Sequence, residues 1–145
     1  MAKVFIHPPN SIILFDLVRR FGHTPLGLGE EVSKNVNKPE IDSPPMNITP
    51  DFPRRGLKYA AIEVPSGVRG RLALMGPLIE EADAAIIIED PEIGFGCTSC
   101  ARANEFLIYL VKQRKIPYIT VPYPSSEEEA RIMVQKIKNF LLSLK

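Results

Sequence analysis

The chain has 145 residues, 45% of them hydrophobic, and its 18 basic and 17 acidic side chains leave a net charge of +1. That apolar fraction is enough for one core without disulfide support, so a single domain spanning 1–145 is expected. The total charge carries no basic excess of the kind that nucleic-acid or membrane-surface binding requires, so neither is an expected partner. The longest apolar runs, Ile12 to Phe15 and Ala84 to Ile88, are far too short to span a bilayer. Met1 to Ile6 reads as a first strand rather than a signal peptide, which makes a cytoplasmic protein the expectation.

Lys3 to His7 is a short β-branched and aromatic run stopped by Pro8-Pro9. Asn10 or Ser11 is placed to cap a helix whose Leu14, Leu17, Val18 and Phe21 recur at helical spacing, with Asp16, Arg19 and Arg20 facing away and Gly22 closing it. Gly29 to Gly56 carries Pro39, Pro44, Pro45, Pro50 and Pro53 and few aliphatic residues, and reads as a proline-rich loop or arm. It is either a surface insertion or a segment that orders on a partner. Leu57 to Val64 suggests a second strand, and Pro65-Ser66-Gly67 leads into a helix with Leu72, Leu74 and Met75. Gly76-Pro77 is expected to break that helix or restart it through Ala82, because proline lacks an N–H and clashes one turn back.

Ala84 to Ile88 is a near-continuous apolar strand, as a parallel sheet covered on both faces demands. A Gly-rich turn follows, then a helix with Ala103, Phe106, Leu107, Leu110 and Val111 on one face. Ile116 to Val121 is a fourth strand. Ser126 and Glu129 form a capping box for a last helix buried along Ala130, Met133, Val134, Ile137, Leu141 and Leu144. Strands alternating with helices predict a three-layer α/β fold: a small parallel sheet of about four strands, order 2-1-3-4, with helices on both faces, Rossmann- or flavodoxin-like.

In such a sheet, ligands bind beyond the carboxyl ends of the strands, where the strand order reverses. That brings His7 and Asn10, after strand one, towards Glu89, Asp90 and the turn after strand three. The chain's two cysteines, Cys97 and Cys100, lie in that turn at the start of a helix, where the positive helix end favours thiolate. A C-x-x-C there suits dithiol-disulfide exchange, with one thiol attacking and the other resolving the mixed disulfide. Thioredoxin-like proteins usually carry that motif after their first strand, and here it follows the third. As metal ligands the pair is incomplete, since closed zinc and iron–sulfur sites take four donors. An iron–sulfur cluster on Cys97 and Cys100 therefore requires ligands from a partner chain. Small packing residues at a tight turn are the plain alternative.

Gly94-Phe95-Gly96 ahead of the helix allows backbone N–H groups to converge on an anion, but the third glycine of the dinucleotide fingerprint and the P-loop lysine are both missing. The candidate binding set is His7, Asn10, Glu89, Asp90, Gly94, Gly96, Thr98, Ser99 and Arg102. Arg54, Arg55, Arg69 and Arg71 form either a basic patch for an anionic ligand or acidic partner, or a set of solvated charges.

The opening Lys3-Val4-Phe5-Ile6-His7-Pro8-Pro9-Asn10-Ser11 and the segment Gly94-Phe95-Gly96-Cys97-Thr98-Ser99-Cys100-Ala101-Arg102-Ala103-Asn104-Glu105 resemble the methanogenesis marker protein 5 family, and the likeness covers most of the chain. The resemblance implies a methanogenic archaeon and a role tied to methyl-coenzyme M reductase, within the multiprotein assembly that activates it by reduction. It supplies no catalytic residues to transfer. Three functions follow as expectations: an accessory, noncatalytic subunit docking other subunits of that redox assembly near the Cys97/Cys100 loop, a dithiol-disulfide oxidoreductase using that pair, or a nucleotide- or anion-binding module.

Overall fold

A computed structural model describes residues 1–31, 51–89 and 98–144, with backbone alone at 98–100. Strand β1 (Lys3–His7) leads through a cis His7–Pro8 bond into helix α1 (Ile12–Arg20). Ser11 caps α1, its hydroxyl accepting from the Leu14 N–H at 3.3 Å. Leu14 and Val18 are buried while Asp16, Arg19 and Arg20 are exposed, as the helical spacing predicts. Gly22, at φ 80°, takes the left-handed turn that ends the helix.

The second strand is not where the sequence suggests. It is β2 (Thr24–Leu26), three residues paired in parallel with β1, Thr24 opposite Lys3 and Leu26 opposite Phe5. Pro25 is tolerated because β2 is an edge strand: the Thr24 N–H bonds towards β1, to Ala2 O at 2.9 Å, so the next nitrogen faces outward and forfeits no ladder bond. The expected strand at Leu57 to Val64 is instead a 3-10 turn (Gly56–Lys58) followed by turns. Leu57 and Ile62 are 43% and 71% exposed, so the run never gains the buried face a strand needs.

Residues 28–31 are helical, and a short helix α2 (Asp51–Arg55) precedes the 3-10 turn, so both described ends of the expected Gly29–Gly56 loop are helical. Most of that loop, including four of its five prolines, lies outside the described residues.

Helix α3 (Ser66–Glu81) runs unbroken through Gly76-Pro77, contrary to expectation. A proline inside a helix costs about 3 kcal/mol, whereas burying an aliphatic side chain gains about 1.5–3 kcal/mol each time. Leu72, Met75 and Ile79 are all buried to 2% exposure or less, so packing outweighs the break. The end of α3 is fastened as well, by Arg114 donating to Glu80 O and Ala82 O.

Strand β3 (Ala84–Ile88), helix α4 (Thr98–Gln113), strand β4 (Tyr118–Val121) and helix α5 (Glu127–Ser143) complete the order. The sheet has four strands, all parallel, in the order β2-β1-β3-β4. One face, through Phe5, Ala85 and Ile87, packs on α3 and α4. The other, through Val4, Ile6, Ile86 and Ile88, packs on α1 and α5. The result is the three-layer α/β arrangement that the alternating pattern predicts.

Helix α5 is buried along Met133, Ile137 and Leu141, while Val134, expected in that stripe, is 38% exposed. Its cap is also shifted. The Glu129 N–H donates to Ser126 Oγ, but the Glu129 carboxylate accepts from the amide and hydroxyl of Ser125, both at 2.7 Å, not from Ser126.

His23 ties the two ends of the chain together. Its Nδ1 accepts from the Ala2 N–H at 3.1 Å, so Nε2 carries the proton and donates to Leu141 O at 2.9 Å. The ring is 9% exposed, and truncation strands two backbone groups in a largely buried place. His23→Ala is therefore expected to lose about 2–4 kcal/mol of stability, read by chemical denaturation.

Hydrogen bonds from the Ser125 side chain and amide hold the Glu129 carboxyl below its ordinary pKa of 4.5. A depressed folded-state value gives stability that is present above the ordinary value and lost as pH falls through the folded one. Acidification below pH 4.5 is expected to fray the start of α5 in the native protein, and Glu129→Gln is expected to remove most of that pH dependence, followed by helical circular dichroism between pH 7 and 3.

Candidate functional site at the carboxyl end of the sheet

Because all four strands are parallel, their carboxyl ends share one rim. The loop after β1, the residues after β2 and the first turns of α1, α3 and α4 all gather there. His7 ends β1 in register with Ile87 of β3, on the α3/α4 face, and is only 1% exposed. It belongs to the core of this rim rather than to its surface. Asn10 is exposed. Glu89 is exposed just past β3, its N–H donating to Val121 O at 2.9 Å.

The rest of the expected set divides. Asp90, Gly94, Gly96 and Cys97 lie outside the described residues. Thr98, Ser99 and Cys100 form the first backbone turn of α4. Arg102 is exposed, 3.3 Å from Glu105, and borders a different cavity, of about 470 Å³, with Tyr59, Val64, Phe106 and Tyr109. Among the described residues, Arg102 and Asn10 therefore border different cavities. Among the described residues no three His, Cys, Asp or Glu side chains are grouped to hold a metal ion.

Among the described residues two clefts open at the rim, on either side of Pro9-Asn10. One, of about 220 Å³, runs between that loop, Ile12, Phe15 and Gly29-Glu30. Ile12, which lines it, and its neighbour Ile13, in the first turn of α1, are 84% and 61% exposed. The other, of about 350 Å³, lies over the β1–β2 side of the sheet, one strand away from the reversal between β1 and β3. Pro9, Leu28, Phe52 and Leu74 wall it, and Asn10, Gly67, Gly70 and Arg71 complete it. Gly67, Gly70, Arg71 and Leu74 follow one another at i, i+3, i+4 and i+7, the spacing of a single helix face. That spacing is the sequence signal for this cleft, and an apolar-stripe reading passes over it because half the face is glycine.

The Phe52 wall is held in place by two close approaches to α3. A Cβ on Gly56 would collide with the Arg69 carbonyl, and one on Gly76 would collide with the Tyr59 ring. Arg69 reaches back across the gap, donating to Val64 O and Pro53 O, both at 3.0 Å. Lys58 Nζ stands 2.6 Å from Glu80 Oε1, which also accepts from the Tyr59 hydroxyl at 3.1 Å. The Lys58 bond holds the Glu80 carboxyl below its ordinary range, and Glu80 in turn holds the Lys58 ammonium above its own. Desolvation, ahead of its bond to Glu80, raises the Tyr59 hydroxyl. Gly56→Ala is expected to push α2 away from α3 and to cost about 1–3 kcal/mol, measured as a lower denaturation midpoint.

Three comparisons bear on what this arrangement belongs to. No solved structure matches the chain. The uncharacterized protein MJ0404 of Methanocaldococcus jannaschii is 64% identical over 144 residues, covering 99% of this chain and 96% of that protein. A model of the family described as "Uncharacterized protein conserved in archaea (DUF2112)" matches residues 2–144, and the chain belongs to that archaeal family.

Proposed function

We propose that this chain is an accessory, noncatalytic subunit of a methanogenic redox assembly, linked to methyl-coenzyme M reductase activation, and that it docks its partners on the carboxyl-end rim near Cys97 and Cys100. The observation that carries this reading is the adjacent pair Ile12 and Ile13, which present large aliphatic side chains to solvent, 84% and 61% exposed, with Ile12 lining an apolar cleft. Single exposed apolar residues are ordinary, but two adjacent ones over a groove are what a protein partner covers. The resemblance to the methanogenesis marker protein 5 family supports the choice of assembly, as does a close relative in Methanocaldococcus. Cys97 and Cys100 supply two thiolates to any cluster shared at this rim, and the partner supplies the other ligands.

A second reading has its own support. Helix α4 begins at Thr98 and is 16 residues long, so Cys100 stands in the first turn of a substantial helix. Such a position lowers a thiol pKa and suits a dithiol-disulfide oxidoreductase. That reading fails when the wild-type protein has no disulfide-exchange activity, or when Cys100→Ser keeps all of it.

The subunit reading is tested by anaerobic capture of the tagged chain from an archaeal host. Stoichiometric recovery of reductase-activation components is expected, with loss of that recovery in an Ile12→Asp/Ile13→Asp double variant that unfolds at the wild-type midpoint. Absence of those components, or their undiminished recovery by the double variant, refutes docking at this rim. Iron and sulfide assay of the captured complex, with Cys97→Ser/Cys100→Ser as control, reports whether a cluster is shared.

A further inference from the structure

Four arginines near the start of α3 look alike in the sequence, and their surroundings separate them. Arg54 lies 3.9 Å from Asp51. Arg55 stacks its guanidinium 4.2 Å from the centroid of the Phe52 ring. Arg69 spends its guanidinium on the backbone carbonyls of Val64 and Pro53. Arg71 is only partly exposed, and it takes part in none of the ion pairs or hydrogen bonds of the described residues. It borders the 350 Å³ cleft, whose other walls are largely apolar.

This combination has a physical cost. A guanidinium that has lost part of its hydration to apolar walls, with no carboxylate paired to it among the described residues, is poorly satisfied unless something else supplies acceptors. The larger cavity near α4 offers a contrast: its Arg102 is already 3.3 Å from Glu105, so that charge is answered within the protein. Gly70 adds a second, independent observation. It is buried, yet a Cβ built on it would meet nothing within 4 Å. Among the described residues nothing covers this side of α3, and Gly70 lines the cleft.

We infer that the cleft between Pro9-Asn10, Phe52 and the Gly67/Gly70/Leu74 face of α3 binds a small organic anion, whose acidic group pairs with Arg71 and whose apolar body lies against Phe52 and Leu74. The volume is at the lower end of the ~300–1,000 Å³ typical of small-molecule sites. A guanidinium presents paired N–H donors that match a carboxylate or a phosphate equally well, so the shared chemistry is a planar or tetrahedral oxyanion on an apolar carrier. Asn10, exposed at the mouth, supplies an amide that can both donate and accept. The glycines at 67 and 70 keep the helix face bare, so the carrier reaches the backbone where any larger residue would fill the cleft. This assignment uses neither cysteine and does not depend on the partner proposed above.

Titration of the full-length protein with simple probes, followed by amide chemical shifts, tests it. Phenyl phosphate and phenylacetate represent the two headgroups, inorganic phosphate lacks the apolar body, and benzyl alcohol lacks the charge. At least one aromatic anion is expected to saturate and to shift the amides of Gly67, Gly70 and Leu74. The tighter of the two assigns the headgroup. Arg71→Gln is expected to weaken that binding about tenfold or more. Gly70→Leu is expected to fill the cleft and abolish it without lowering the unfolding midpoint. The proposal is overturned if neither aromatic anion saturates, if Arg71→Gln binds as the wild type does, or if benzyl alcohol or inorganic phosphate binds as tightly as the better aromatic anion. Arg71→Gln changes a surface-accessible side chain, so it decides the matter even if Gly70→Leu does not fold.

Discussion

The parallel pairing of β1 with β3 is the constraint from which the rest of the molecule follows. Val4 to His7 run in register with Ala84 to Ile87, and every residue in both stretches is 1% exposed or less. Two strands buried on both faces require a helical layer on each side, and parallel strands require crossovers long enough to provide them. Helices α1, α3, α4 and α5 are those layers. The same pairing sends every strand's carboxyl end to one rim, so the clefts, the exposed isoleucines and the first turn of α4 all sit there. Altering the register by one residue would turn His7 and Phe5 to the opposite face and dissolve both cores at once.

Helix α3 translates that constraint into a cleft. Val68, Leu72, Met75 and Ile79 anchor one face to the sheet, tightly enough to carry Pro77 through the middle. The face with Gly67, Gly70 and Leu74 is left looking across to Phe52. Two glycines set the spacing of that opposite wall: Gly56 lets its backbone approach the Arg69 carbonyl, and Gly76 admits the Tyr59 ring. A wall fastened by Lys58–Glu80, by Tyr59 and by Arg69 keeps the cleft open against the tendency of apolar surfaces to close.

What the sequence reveals of this arrangement is what depends on local, periodic signals. The alternation of strands and helices, the Ser11 and Ser126 caps and the stripes of α1 and α4 are written in spacings of two to four residues, and the strand order comes from crossover rules applied to that alternation. The strand Thr24–Leu26 is not, because it has three residues and a proline, and only its place beside β1 makes it a strand. The run from Leu57 to Val64 has strand-like residue types but no partner, and Tyr59 gains more by packing on Gly76. Pro77 reads as a helix breaker because sequence reports its cost and not the burial of Met75 and Ile79 around it. Asn10 is legible as a rim residue from topology alone. Arg71 is legible only as one of four arginines, since its distinction is that the other three are engaged elsewhere.

The two proposed surfaces meet at Pro9-Asn10, which borders both clefts. Leu28 N–H donates to Pro9 O at 2.6 Å, and a Cβ on Gly27 would run into that same carbonyl, so the loop is pressed against the residues after β2. One loop thus forms a shared wall between the Arg71 cleft and the Ile12/Ile13 groove. A ligand that orders this wall from one side changes the cost of docking on the other, and linkage requires the converse: a docked partner alters ligand affinity by the same factor. Under the two proposals the occupants lie on opposite sides of Pro9-Asn10, so the two clefts can be filled at once. Held together, the two proposals tie ligand binding and docking to one loop that is already pinned by the Leu28–Pro9 hydrogen bond.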